Sequence, residues 1–457
     1  MDDKRTDNNT GAPAPEKDRP SRRYLGLKLS VIAAVLLCMT FVSFILPLRP
    51  TVSEAEKREL AQFPAFSFES LFSGRYFSEI GAWYSDPVPF RDFFTDLSSR
   101  LHHWLGTGTA LSGFNEGVQG DEIPDIPTPG ETDTLPSAEP VSSETTEPVT
   151  EAPTEEPTAE MQRLSNIMIY GNAGYEYYNF VQAASEKYAS AVNRAAELFA
   201  GKANVYAMIV PNSTGVMLPD EVQASISSSD QAKAIAYMEA LMGPTVRRVS
   251  VFDTLKAHKN EYIYFRTDHH WTGLGAYYAY VKFCEAKGVA PVLLNDCEYR
   301  AFDDFRGSFY TDSGSAPALG DTPDVVETFL PRVNADITIT DMSGVTFTGP
   351  VIYDETNNST YNKYGAYIWG DNPFSVIENH SVPAGESCLL IKESYGNAIA
   401  PLLIYNYKYV YVMDYRYCDS TAAQLVDTYG ITDVLYCNNI SMTRADSQVS
   451  LLLRKTG

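Results

Sequence analysis

The chain has 457 residues with a formal net charge of -23, 44% hydrophobic and 12% aromatic side chains, which is ample core material and excludes a chain disordered throughout. Its length exceeds one ordinary domain, so a main globular unit with attachments is expected. Thirteen acidic residues and no Lys or Arg lie between Arg100 and Arg163, so this stretch accounts for -13 of the net -23, and the absence of clustered basic residues argues against a nucleic-acid partner.

Residues 1–24 read as a cytoplasmic tail and 25–48 as a transmembrane helix. Leu29 to Leu48 carries no charge over twenty positions, a length that as a helix spans the roughly 30 Å hydrocarbon core of a bilayer. Lys17, Arg19, Arg22, Arg23 and Lys28 precede it, while Arg49 and then Glu54 and Glu56 follow, so the amino terminus is expected in the cytoplasm and the remainder outside. Residues 49–114 read as a helical stalk packing on the core, with an apolar spacing broken at Pro87 and Pro89. Residues 115–161 repeat Thr, Glu and Pro with few large apolar side chains, and read as a disordered linker that cannot bury enough surface to offset its ordering entropy.

Residues 162–457 read as the main domain. Strands are predicted at Ile167–Tyr170, Val205–Val210, Arg247–Phe252, Tyr262–Phe265, Cys388–Lys392, Tyr409–Met413 and Asp433–Tyr436. Helices are predicted at Ala183–Phe199, Gln231–Met242, Ala398–Tyr405 and Ser420–Tyr429, and residues 337–361 alternate Thr and Val in a β pattern. This alternation implies an α/β fold with a mostly parallel sheet covered on both faces. Cys284, Cys297, Cys388, Cys418 and Cys437 show no CxxC pairing and read mainly as buried thiols, with one or two disulfides left open.

Two segments carry chemistry. In Arg266-Thr267-Asp268-His269-His270-Trp271, an acid two residues before a histidine can orient one imidazole nitrogen and leave the other free as a general base. In Leu389-Leu390-Ile391-Lys392-Glu393-Ser394-Tyr395-Gly396-Asn397, an apolar run enters a polar turn with Ser394, and a helix starts at once. That strand-turn-helix context exposes a nucleophile, and the helix start supplies N–H groups and dipole for an oxyanion. Asp268-His269-His270 also spells the core of metal-dependent phosphoesterases, but those need further aspartates, and Asp253 has no partner at suitable spacing. No metal or cofactor is expected.

Together Asp268-His269-His270-Trp271, Lys392-Glu393-Ser394-Tyr395-Gly396-Asn397, Phe90-Arg91-Asp92 and Met413-Asp414-Tyr415-Arg416-Tyr417 resemble the DHHW family of bacterial membrane-anchored proteins. That family is similar to the periplasmic alginate O-acetylation proteins, within the SGNH hydrolase-like superfamily. The resemblance implies a three-layer SGNH-like fold with a permuted motif order, in which Asp-x-His precedes the serine. It implies Ser394 as nucleophile, His270 as base and Asp268 as its orienting acid. Gly396, Asn397, Gly370 and Asn372 are the oxyanion candidates; His269, Trp271 and Arg266 are the substrate-binding candidates, Trp271 by stacking on a sugar. The implied activity is serine-dependent O-acetyl transfer or acetyl-ester hydrolysis on a cell-surface or cell-wall polysaccharide, with an integral membrane acyl-transfer partner by analogy. A noncatalytic surface protein keeping the fold is the alternative.

Overall fold

The structure is a computed structural model that describes residues 52–53, 58–59, 120–125, 161–163 and 167–457. The chain divides into two compact units, Met1–Gly108 and Thr109–Gly457. In the first, β1 (Val52–Ser53) pairs antiparallel with β2 (Arg58–Glu59). The predicted membrane helix, most of the stalk and most of the acidic stretch lie outside the described residues. Among the described residues no helix is long and apolar enough to cross a membrane.

In the second unit, β3 (Met161–Arg163), β4 (Ile167–Tyr170) and β5 (Ala173–Glu176) form a small antiparallel sheet. There follow α1 (Gln182–Leu198), β6 (Asn204–Val210), α2 (Gln231–Ala240), β7 (Val246–Arg248) and α3 (Gly273–Lys287). The antiparallel pair β8 (Cys297–Phe305) and β9 (Asp324–Pro331) precedes β10 (Ala335–Thr340), β11 (Thr346–Gly349) and β12 (Phe374–Asn379). The chain ends with β13 (Ser387–Lys392), α4 (Gly396–Leu403), β14 (Tyr409–Asp414), α5 (Ala422–Tyr429), β15 (Asp433–Asn439) and α6 (Asp446–Thr456).

Eight strands make the main sheet, in the order β11-β10-β12-β14-β13-β15-β6-β7. From β14 to β7 every pairing is parallel; from β14 to β11 every pairing is antiparallel. The sheet is therefore mixed, with four of its seven pairings parallel and three antiparallel. Burial explains the division. All six residues of β13 and all seven of β15 are buried, because helices cover both faces, whereas β12 alternates half-buried and buried side chains. Leu390 and Cys388 point into the core shared with α3 and α4; Leu389 and Ile391 point into the core shared with α1, α2, α5 and α6.

Within the acidic stretch, Gly120–Asp125 is docked on this unit. Asp121 donates its N–H to the carbonyl of Phe180 (2.8 Å), and its carboxylate accepts from the first N–H of α1, at Gln182 (2.9 Å). The α1 N-cap, Val181, has no capping side chain of its own, so this acid serves the positive helix end.

Three sequence expectations change. Tyr262–Phe265 is not a strand: only an isolated bridge joins Tyr264 to Trp271, and the segment folds back so that Phe265 N–H reaches the carbonyl of His270 (3.2 Å). The strand expected over Arg247–Phe252 stops at Arg248, and a helix begins at Phe252. Ile167–Tyr170 is a strand, but of the small sheet. The five described cysteines are buried and free.

Because β13 is packed from both sides, Leu390→Ala should cost about 2–5 kcal/mol of unfolding free energy. Urea unfolding followed by far-UV circular dichroism measures it.

Candidate active site

Ser394 follows β13, an interior strand flanked by β14 and β15, so it stands in the crevice at the carboxyl ends of the parallel strands. The loop with Asp268 and His270 comes from 124 positions earlier in the chain. The His270 Nε2 lies 2.7 Å from Ser394 Oγ, and its Nδ1 lies 2.6 Å from Asp268 Oδ1. Asp268 Oδ1 also accepts the His270 N–H (3.0 Å), and Oδ2 accepts the N–H of Ser308 (2.8 Å). With Nδ1 protonated against the carboxylate, Nε2 is left to accept from the serine hydroxyl.

Several contacts hold the two loops together. Trp271 donates its indole N–H to the carbonyl of Tyr395 (2.9 Å), and the Tyr395 hydroxyl returns a hydrogen bond to the carbonyl of His269. Tyr364 donates to the carbonyl of Ser394 (3.0 Å) and stacks on the His270 ring at 3.9 Å between centroids. Asp324, fully buried, accepts from Arg266 N–H (3.0 Å), Thr267 N–H (2.7 Å) and Thr267 Oγ1 (2.7 Å), which ties down the start of the histidine loop. A Cβ on Gly307 would lie 2.2 Å from Asp268 Oδ2, so only glycine lets the 305–308 segment close over the acid.

Electrostatics follow from burial and pairing. Burial pushes the Asp268 carboxyl up, but His270, His269 and the hydrogen bonds from His270 and Ser308 outweigh it and hold the group well below the usual carboxylate range. For His270, burial and the neighbouring His269 lower the pKa more than Asp268 and Asp371 raise it. The imidazole is therefore neutral at neutral pH, the state a general base requires.

Beneath the serine turn lies a charged network. Lys392, fully buried, donates to Asp414 (2.8 Å) and Asp371 (3.0 Å); Arg416 bridges the same two acids at 2.7 Å each. Asn397 Nδ2 donates to Asp371 as well (2.9 Å). Glu393 is buried beside Ser394, its two oxygens accepting from Asn438 Nδ2 and Asn439 N–H (both 2.9 Å), and burial raises its pKa.

An open cleft of about 650 Å³ leads to the serine, lined among others by His269, Ser308, Glu393, Tyr395, Arg416 and Arg444. His269 is thus at the cleft, with Nδ1 held by Ser308 Oγ at 2.7 Å. Trp271 is completely buried, so it clamps the loops instead of stacking on a ligand. Arg266 pairs with Asp324 and does not line the cleft. The oxyanion candidates are also spent: the N–H of Gly396 goes to Glu393 O (3.0 Å), that of Asn397 to Ser394 O (3.1 Å) and that of Gly370 to Tyr367 O (3.0 Å). Asn372 Nδ2 goes to Trp369 O (3.2 Å), and none of the four lines the cleft. Among the described residues, the N–H groups of Ser394 and Tyr395 have no protein acceptor. Sequence reasoning missed Arg444 and Glu393 as cleft residues and gave Arg416 no role. Arg416 lay within a quoted motif, but no spacing in the sequence marks Arg444, which arrives from the far end of the chain.

Asp268, His269 and His270 bring ligand-type atoms within 4.8 Å of one another. Both His270 nitrogens face the carboxylate and the hydroxyl, and His269 Nδ1 faces Ser308, so the arrangement reads as a proton relay rather than an open ligand set.

An α/β unit with a serine, a histidine and an aspartate in hydrogen-bonded sequence at the strand ends defines the class. The model of the DHHW protein family matches residues 56–152 and 143–413, and the chain belongs to that family. A DHHW family protein from Eubacterium siraeum is similar in structure at 26% identity and TM-score 0.59, over 64% of this chain and 98% of that one. Bacillus cereus PatB1 with a sulfonyl adduct matches at 17% identity and TM-score 0.52, over 65% and 99% of the two chains, and supports the fold. The O-acetyltransferase domain of Pseudomonas putida AlgJ, at 13% identity and TM-score 0.35 over 65% and 99%, is too distant to add weight. No curated protein matches the sequence.

Gly307→Ala should lower stability by about 1–3 kcal/mol through the clash with Asp268. Chemical denaturation beside the wild type provides the check.

Proposed function

We propose that the protein is a serine-dependent O-acetyltransferase or acetylesterase acting on a cell-surface or cell-wall polysaccharide. The observation that carries this is the unbroken hydrogen-bond line from Asp268 through His270 to Ser394, at 2.6 and 2.7 Å, opening on a cleft. In the reaction, Ser394 Oγ attacks the acetyl carbonyl while its proton passes to His270 Nε2. The free N–H groups of Ser394 and Tyr395 take the developing oxyanion, in place of the donors expected from the sequence. The imidazolium, stabilised by Asp268, then protonates the departing donor oxygen, leaving an acetyl-serine. A polysaccharide hydroxyl or water gives its proton to His270 and attacks the ester, which releases the acetylated product or acetate and restores the serine.

The SGNH-like reading of the fold is supported by the position of the serine between an interior parallel strand and a helix, with the permuted order of the motifs. The apolar run from Leu29 to Leu48 and the basic residues before it support a single-pass anchor with the amino terminus cytoplasmic and the main domain extracellular. A membrane partner supplying acetyl groups suits that placement. Polymer substrates suit a cleft open at the surface. The alternative, a noncatalytic surface protein, requires this buried relay to be retained without use.

Turnover of p-nitrophenyl acetate should fall by roughly 10³-fold or more in Ser394→Ala and His270→Ala. The acid limb of kcat/KM should lie below 6.5, because burial lowers the His270 pKa and the base is lost only as pH falls through it. A variant Ser394→Ala with wild-type turnover would overturn the serine-dependent reading, and a wild type that turns over no acetyl ester would favour the noncatalytic alternative.

A further inference from the structure

We propose that His269 and Asp312 form the subsite that holds the acceptor sugar, and that the free carboxylate of Asp312 restricts this subsite to uncharged glycans. That the ligand is a sugar rests on the polysaccharide reading above. The two residues and the charge preference rest on the cleft itself. Its charged side chains are Glu176, Asp312, Glu393, Arg416 and Arg444, and four of the five are engaged. Arg444 holds Glu176 (3.0 Å) and the carbonyl of Tyr177, and Arg416 bridges Asp371 and Asp414. Glu393 takes its two hydrogen bonds from Asn438 and Asn439. Asp312 alone has no hydrogen bond or ion pair from its carboxylate among the described residues.

Asp312 ends the short helix Ser308–Asp312. A carboxylate gains nothing at that end of a helix, where the carbonyls point, so local stability does not account for its place. The same helix begins with the residue that grips the histidine loop. Ser308 Oγ lies 2.7 Å from His269 Nδ1 and accepts the His269 N–H (3.4 Å), while the Ser308 N–H goes to Asp268 (2.8 Å). Desolvation raises the Asp312 pKa, His269 lowers it and Asp268 raises it further, which places the three groups within electrostatic reach of one another.

Ser308 also fixes the tautomer of His269. Its oxygen accepts the backbone N–H, and among the described residues its own hydrogen has only Nδ1 as acceptor. In the neutral ring the proton then sits on Nε2, which has no protein partner and is left to donate into the cleft. A donor nitrogen beside an acceptor carboxylate matches two neighbouring oxygens of a sugar, one accepting and one donating. The His269 ring lies 3.8 Å from the His270 ring between centroids, so a sugar held there stands next to the base. Its hydroxyl gives a proton to His270 Nε2 and its oxygen bonds the acetyl carbon. The bond from that carbon to Ser394 Oγ breaks, and Oγ takes the proton back from His270. An anionic glycan, by contrast, meets Asp312 in a cleft whose cations are already paired.

The test is acetyl transfer from p-nitrophenyl acetate to the uncharged chitotetraose and cellotetraose and to cellotetraose oxidised to carboxylates at C6, read by mass spectrometry. The wild type should acetylate at least one uncharged acceptor about tenfold better than the carboxylated one, and about 0.5 M NaCl should narrow the gap by screening. Asp312→Asn should remove most of the preference, and Asp312→Glu should keep it. In His269→Leu the ratio of transfer to hydrolysis should fall about tenfold, and less in His269→Gln, which retains a donor. Equal transfer to charged and uncharged acceptors, transfer to neither uncharged acceptor while nitrophenol is released, an unchanged preference in Asp312→Asn, or equal loss of transfer and hydrolysis in His269→Leu would each overturn the proposal. Calorimetric binding of the same acceptors to the wild type and Asp312→Asn separates the two readings. A preference for uncharged acceptors that Asp312→Asn abolishes, in a protein that turns over no nitrophenyl acetate, would sink the catalytic reading alone.

Discussion

One imidazole ring organises the site. His270 is held by the carboxylate of Asp268 from its own loop on one nitrogen, and by the Ser394 hydroxyl on the other nitrogen and the Tyr364 ring on its face, both from distant parts of the chain. Such a contact cannot be made locally. It requires the histidine loop and the serine turn to be brought together by the core and then locked by the Trp271 and Tyr395 hydrogen bonds. Burial matters as much as distance, because it keeps the ring neutral while the paired carboxylate stays ionised.

The second constraint is the charged network under the serine turn. Burying Lys392 with Asp414 carries a desolvation cost, which the carboxylates of Asp371 and Asp414 outweigh, so that the Lys392 pKa is raised despite its burial. The network joins the end of β13, the end of β14, the Asp371 loop and the start of α4 through one set of charge-assisted hydrogen bonds. Removing one member would leave an unpaired buried charge directly below Ser394. The rigidity of the turn and the placement of Arg416 at the cleft therefore share a cause.

How much was legible in the sequence depends on how local each signal was. The parallel strands β6, β13, β14 and β15 are short apolar runs bounded by turn formers, and their type and approximate limits could be read directly. Asp268, His270 and Ser394 were legible because their motifs are local. Which N–H groups at the serine turn lack a protein acceptor was not, since that depends on how the first turn of α4 closes. Trp271 and Arg266 were misread for a similar reason: an aromatic or a basic side chain beside a motif does not reveal whether it faces a ligand or the protein. Helix α3 was missed because it is apolar on nearly every side and shows no stripe. The mixed character of the sheet depended on strand order, which no single segment encodes.

The central claim is that Ser394 is a nucleophile activated by His270. Its most direct test is peptide mapping by mass spectrometry after treatment with a fluorophosphonate. The account predicts one adduct, on Ser394, that is lost in His270→Ala. Modification of a different residue, or labelling of Ser394 that does not depend on His270, would contradict it.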